Sequence, residues 1–117
     1  MSEYQIQLAD IVSWFHSKQQ ILKDFGITLA DIRESHTAKS AAAANFDTAH
    51  SIGQIVAWVS GEVDFEVLRV ADGKDVFLLH QKVPHLGSPT LETAFENFLQ
   101  HMTHPDGDDD LHASYEK

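Results

Sequence analysis

The chain has 117 residues, eighteen of them acidic and eight basic, for a net charge of −10, and it has no cysteine. That length fits one domain with its own core, and the missing cysteines exclude disulfides, thiolate metal sites and thiol nucleophiles. The acidity argues against binding nucleic acid or an anionic membrane surface; it either makes a cationic protein the natural complement or simply confers solubility.

The start, Met1-Ser2-Glu3-Tyr4-Gln5, lacks the basic and apolar regions of a secretory signal. The longest apolar run, Ile55 to Val59, is far too short to span a bilayer. A cytoplasmic protein is expected. From about Glu3 to Phe25, the residues Tyr4, Leu8, Ile11, Val12, Phe15 and Leu22 recur at helical spacing, widened by Trp14, Ile21 and Phe25. One helix is predicted there, with Ser2 as its cap and Gly26 at its end.

Ile27 to Arg33 reads two ways: Thr28 followed by Asp31 resembles a helix start, while Gly-Ile-Thr-Leu suits a short extended piece. Glu34 to Ser40 is polar and reads as a mobile loop. Ala41 to Ala44 favours helix but is too short to nucleate one alone, so the loop is expected to enter a strand near Ala43 to Ala49.

Three clearer strands follow. Ile52 to Ser60 is rich in β-branched and aromatic residues. Gly61-Glu62 is a turn. In Val63 to Val70, Val63, Phe65 and Val67 alternate with Asp64 and Glu66. Asp72-Gly73 is a strong hairpin signal. Asp75 to Val83 then sets Phe77, Leu79 and Val83 against Val76, Leu78 and His80. Consecutive strands with short connections make an antiparallel meander.

After a loop from Pro84, Ser88-Pro89 supplies a hydroxyl cap and a proline at the first helical position. Leu91, Ala94, Phe95, Phe98, Leu99 and Met102 form the apolar stripe of a helix ending near Thr103. Residues 105–117 read as a disordered acidic tail. Its five acids and one base leave thirteen acids against seven bases in the body, so the domain itself is acidic.

The expected architecture is a single α+β domain over residues 1–104. It comprises an N-terminal helix, a three- to four-stranded antiparallel meander and a C-terminal helix. Both helices pack on one sheet face and leave the other turned outward.

In a strand, Glu62, Asp64 and Glu66 point to one face, where they repel one another unless cations pair with them. Arg69, Lys74 and Lys82 are the internal candidates; otherwise the row is a patch for another protein's lysines and arginines. Trp58, across the Gly61 turn, is either core or an interface anchor, because the run Ile55 to Val59 is apolar throughout and leaves its parity open. No nucleophile elbow, phosphate loop or nucleotide fingerprint accompanies the carboxylates, so catalysis is not expected. His101 and His104 have a metal-compatible spacing but no evident third ligand. Asp106 to Asp110 does not continue as a calcium loop, since Leu111 stands where glycine is required. No metal or cofactor is expected.

The run Ile52-Gly53-Gln54-Ile55-Val56-Ala57-Trp58-Val59-Ser60-Gly61-Glu62-Val63-Asp64-Phe65-Glu66-Val67 resembles the signature of the TriTu family of immunity proteins. That signature is a strand leading to Trp, then Ser-Gly, then an acidic and apolar strand ending in Glu-Val. Val59 stands where the pattern carries an acidic residue. The flanks match in layout: the first helix, Gly26-Ile27, the Asp72-Gly73 hairpin with His80 after it, and a closing helix with Phe98-Leu99.

The resemblance implies a small bacterial antidote, encoded beside a polymorphic toxin. It would bind that toxin stoichiometrically and without catalysis. Toxins that attack nucleic acid have basic active sites, which an acidic partner can occlude. The expected contacts are Trp58, Glu62, Asp64 and Glu66, with Arg69 and His80 as further candidates. The expected partner is a basic toxin domain, and the expected state a monomer or weak dimer. The alternative is an acidic secretion chaperone or adaptor holding an effector segment, which an obligate dimer would favour.

Overall fold

The computed structural model describes residues 6–106. The N-terminal helix is two helices, α1 over Leu8–Ser17 and α2 over Gln19–Asp24. They part at Lys18, where the Ser17 hydroxyl donates to the Trp14 carbonyl at 2.6 Å, a local bond that competes with the helical ladder. The expected cap Ser2, and Glu3 and Tyr4, lie outside the described residues. Gly26 ends α2 as expected, at φ +74°. Its N–H donates to Lys23, and that of Ile27 donates to Leu22, closing the last turn.

Five strands follow: β1 Thr28–Ser35, β2 Ala41–Asp47, β3 Ser51–Trp58, β4 Glu62–Arg69 and β5 Asp75–Lys82. They form one sheet in the order β1-β2-β3-β4-β5, every neighbouring pair antiparallel. The meander is therefore one strand longer than the upper expectation. The added strand is β1, from the stretch that read ambiguously, and β2 takes in the whole alanine run. Tertiary packing overrides the helix preference of Ala41 to Ala44 here: Ala42 and Ala44 are fully buried beneath α1.

The closing helix, α3, spans Pro89–Thr103, and the Ser88 hydroxyl accepts from the Thr90 N–H at 3.2 Å. Its apolar stripe packs on β3, β4 and β5, while α1 packs on β2 and α2 on β1. Phe98 sits at the centre, its ring centroid 5.2 Å from Phe46 and 5.9 Å from Phe65. Trp14 meets Phe95 edge-on at 5.5 Å, tying α1 to α3. The expected helical cover on one sheet face is thus present, made by three helices because the N-terminal one is broken in two. Pro105, which the sequence assigns to the tail, is buried, and its carbonyl accepts from Arg69 Nη1 at 3.3 Å.

Candidate functional site: the open sheet face

Register decides which side chains share the face away from the helices. Val63, Phe65 and Val67 of β4 are buried against Ala57, Ile55 and Gly53 of β3. The intervening Glu62, Asp64 and Glu66 therefore point the other way, as expected. Trp58 follows buried Ala57 and shares its side of β3 with Gln54 and Val56, so it too lies on the outer face. On β5, Leu78 and His80 stand opposite Glu66 and Asp64.

No described helix covers this face. Ile52 is 50 % exposed and Leu78 44 % exposed. Between β3, β4 and β5 the twist leaves a shallow depression of about 400 Å³ lined by Gln54, Val56, Asp64, Glu66, Leu78 and His80. Toward β1 the face is closed by a polar ladder. Gln54 donates to Asn45 at 3.0 Å, and Asn45 donates to Asp31 at 2.6 Å. Arg33 Nε donates to the same Asp31 carboxylate at 3.3 Å. The bond from Asn45, with Arg33 beside it, holds the Asp31 carboxyl below its usual range.

The three acids in the row differ in their company. Glu62 accepts from Lys39 Nζ at 2.6 Å. That bond, reinforced by the charge of Lys39, holds the Glu62 carboxyl below the usual carboxylate range. Asp64 is in direct contact with Nδ1 of His80. Glu66 faces another acid, Asp75: their carboxyls share a hydrogen bond, and with partial burial and like charge this pushes the Glu66 carboxyl up.

The internal cations are not the ones the sequence suggested. Lys39, from the loop between β1 and β2, pairs with Glu62. Lys82 stands opposite Glu62 in register, but no ion pair joins them. Arg69 is set apart from the patch. It pairs in register with buried Ser51, on the helix side of the sheet, and Arg69 Nη2 donates to Asp72 at 2.8 Å. The structure thus brings Trp58, Glu62, Asp64, Glu66 and His80 together and leaves Arg69 out. Lys39 was not legible in sequence, because its partner lies twenty-three residues away.

Among the described residues no three His, Asp or Glu side chains are placed to hold a metal ion. His101 is buried, stacked on Phe77 at 4.4 Å, with Nδ1 bonded to the Asn97 carbonyl; His104 is exposed, Nδ1 by the Thr103 hydroxyl. Nor is any described helix long and apolar enough to cross a membrane.

No curated protein and no solved structure matches the chain. A family model does match, over residues 9–101, from α1 to the last turn of α3, and its description is immunity protein TriTu. The matched span takes in nearly all of the helical layer, all five strands and the whole open face, so the chain belongs to the TriTu family of immunity proteins.

Proposed function

We propose that this chain neutralises a cognate bacterial toxin by stoichiometric, non-catalytic contact through its open sheet face, in the cytoplasm of the producing cell. Family membership supports the immunity role. The observation that carries the choice of surface is the uncovered face itself, where Trp58 and the half-buried Glu62, Asp64 and Glu66 stand beside exposed Leu78 and Ile52. Apolar anchors ringed by charge are what a specific interface uses. A net charge of −10 suits a basic toxin surface and speeds its capture. His80 is a further contact candidate through its position against Asp64; Arg69, held on the helix side by Asp72, is not.

The test is calorimetric titration of the full chain with the toxin domain encoded beside it. Glu62→Lys, Asp64→Lys and Glu66→Lys together should abolish binding while thermal unfolding stays cooperative. Trp58→Ala alone should weaken binding by about ten- to a hundredfold, as for a central aromatic anchor. Undiminished affinity in both variants would remove this face from the mechanism. An obligate dimer that binds no such toxin would favour the chaperone reading instead.

A further inference from the structure

The molecule contains two lysine–tryptophan–glutamate trios. On the helix side, Lys18 Nζ lies 2.7 Å from Glu92 Oε1 and 5.3 Å from the centroid of the Trp14 ring. That trio joins α1 to α3, and the Lys18 side chain is only 18 % exposed. On the open face, Lys39 Nζ lies 2.6 Å from Glu62 Oε1 and 5.7 Å from the centroid of the Trp58 ring. Here the lysine is 43 % exposed and no described helix lies over it. An ammonium over an indole and against a carboxylate is a favourable arrangement in both places. In the first it joins two helices; in the second it occupies the corner of a surface that faces outward.

The geometry of that corner suits a visitor. Trp58 and Glu62 flank the β3–β4 turn, so the turn fixes the spacing between aromatic face and carboxylate. Ser60 Oγ donates to the same Glu62 oxygen at 3.4 Å. The loop that delivers Lys39 is pinned by its own bonds: the Thr37 hydroxyl donates to the Lys39 carbonyl at 3.0 Å, and the Ser40 hydroxyl donates to the Thr37 carbonyl at 3.0 Å. Lys39 can therefore leave by side-chain rotation alone, with the backbone in place. An exposed ion pair of this kind adds little stability, so leaving costs little.

We infer that the Trp58–Glu62 corner is a socket for one cationic side chain of the toxin, an arginine by preference, and that Lys39 is a resident surrogate which that side chain displaces. This rests on the proposed function and names the contact within it. Arginine fits better than lysine because its planar guanidinium stacks on the indole while bonding the carboxylate. The device also sharpens selectivity. A neutral or acidic segment has nothing to exchange for Lys39, whereas a cation replaces like with like.

The test uses the full chain, the toxin domain encoded beside it, and three variants. Lys39→Gln empties the socket and should tighten binding about three- to tenfold. Lys39→Arg fills it with a better surrogate and should weaken binding. Lys74→Gln makes the same charge change at the opposite end of the sheet, and its effect is the baseline to subtract. If Lys39→Gln matches that baseline, or weakens binding as loss of a direct contact would, the surrogate role is overturned while toxin binding stands. If the toxin does not bind the unaltered chain, the proposed function fails first. The socket is then read directly by adding N-acetylarginine amide and following the two indole N–H resonances. The Trp58 signal should shift in Lys39→Gln and much less in the unaltered chain, with Trp14 as the internal reference. No shift of Trp58 in either protein overturns the socket.

Discussion

Gly53 and Ile52 are neighbours on β3 with opposite surroundings. A Cβ built at Gly53 would lie 2.5 Å from Met102 Sδ and 2.7 Å from Phe98 Cζ, so α3 sits directly on the glycine backbone. Gly53→Ala should cost about 1–3 kcal/mol through overpacking, read as a lower midpoint in urea unfolding. Ile52→Ala, on the open face, should stay within about 0.5 kcal/mol. The carboxyls supply a second contrast at this scale. Asp72 is held down to about 2, chiefly by its hydrogen bond from Arg69. A depressed carboxyl contributes stability above its ordinary value of 3.8, and that contribution is lost as pH falls toward 2. Glu66 has the opposite sign. Its proton is held more tightly in the fold, so its contribution is present below the ordinary value of 4.5 and is lost as pH rises through the raised one. Glu66→Gln should therefore melt above the unaltered chain at pH 7, and that gain should close below pH 4.5. Asp72→Asn should melt lower at pH 7, with the loss closing near pH 2. Melting curves taken between these limits check both, and a Glu66→Gln protein that gains nothing at neutral pH would show that Asp75 does not oppose Glu66.

At the scale of elements, α3 shows how much a short signal can carry. Ser88 and Pro89 set its first turn, and the six apolar residues of its stripe are all buried. Ser88→Ala removes the cap and should cost about 1 kcal/mol, measurable by the same unfolding midpoint. The strands β3, β4 and β5 were legible for different reasons: β4 alternates inward apolar with outward acidic residues because helices cover one side, β3 is rich in β-branched and aromatic residues, and β5 follows the Asp72-Gly73 turn. β1 was not. Most of its residues are exposed, which erases the alternation, and an irregularity between Leu29 and Asp31 resets the pleat. Leu29 and Ile32 thus both face the helices while standing three apart, a spacing that reads as helical. Only the start of β2 hid behind its alanines, whose value lies in being small enough for α1 to lie close, which composition alone does not reveal. The acidic row on β4 followed from period two, but the side taken by Trp58 needed the pairing of Ala57 with Val63. That Arg69 stands apart from the row was not legible, because a strand-end residue answers to the nearest turn, here Asp72, as much as to its neighbours.

At the scale of the whole molecule, the charge of −10 acts on folding and on encounter with opposite sign. Within the fold, like charges spread over a body 46 Å long repel one another. At 0.01 M salt the Debye length is about 30 Å and much of that repulsion is felt; at 0.15 M it is about 8 Å and the repulsion is largely screened. The melting temperature should therefore rise with sodium chloride across that range, even as the exposed Lys39–Glu62 and Arg69–Asp72 pairs lose a little. Under the proposed function, capture of a basic toxin would run the other way, because the attraction that steers it is screened by the same salt. Its association rate should fall by about tenfold or more over the range, while dissociation, which the proposed contact assigns to Trp58 and its surroundings, should change far less. Stopped-flow association and thermal melts on one salt series separate the two. A rate constant indifferent to salt would mean that the toxin meets this protein through apolar contact, with the acids of the open face serving only to keep it soluble.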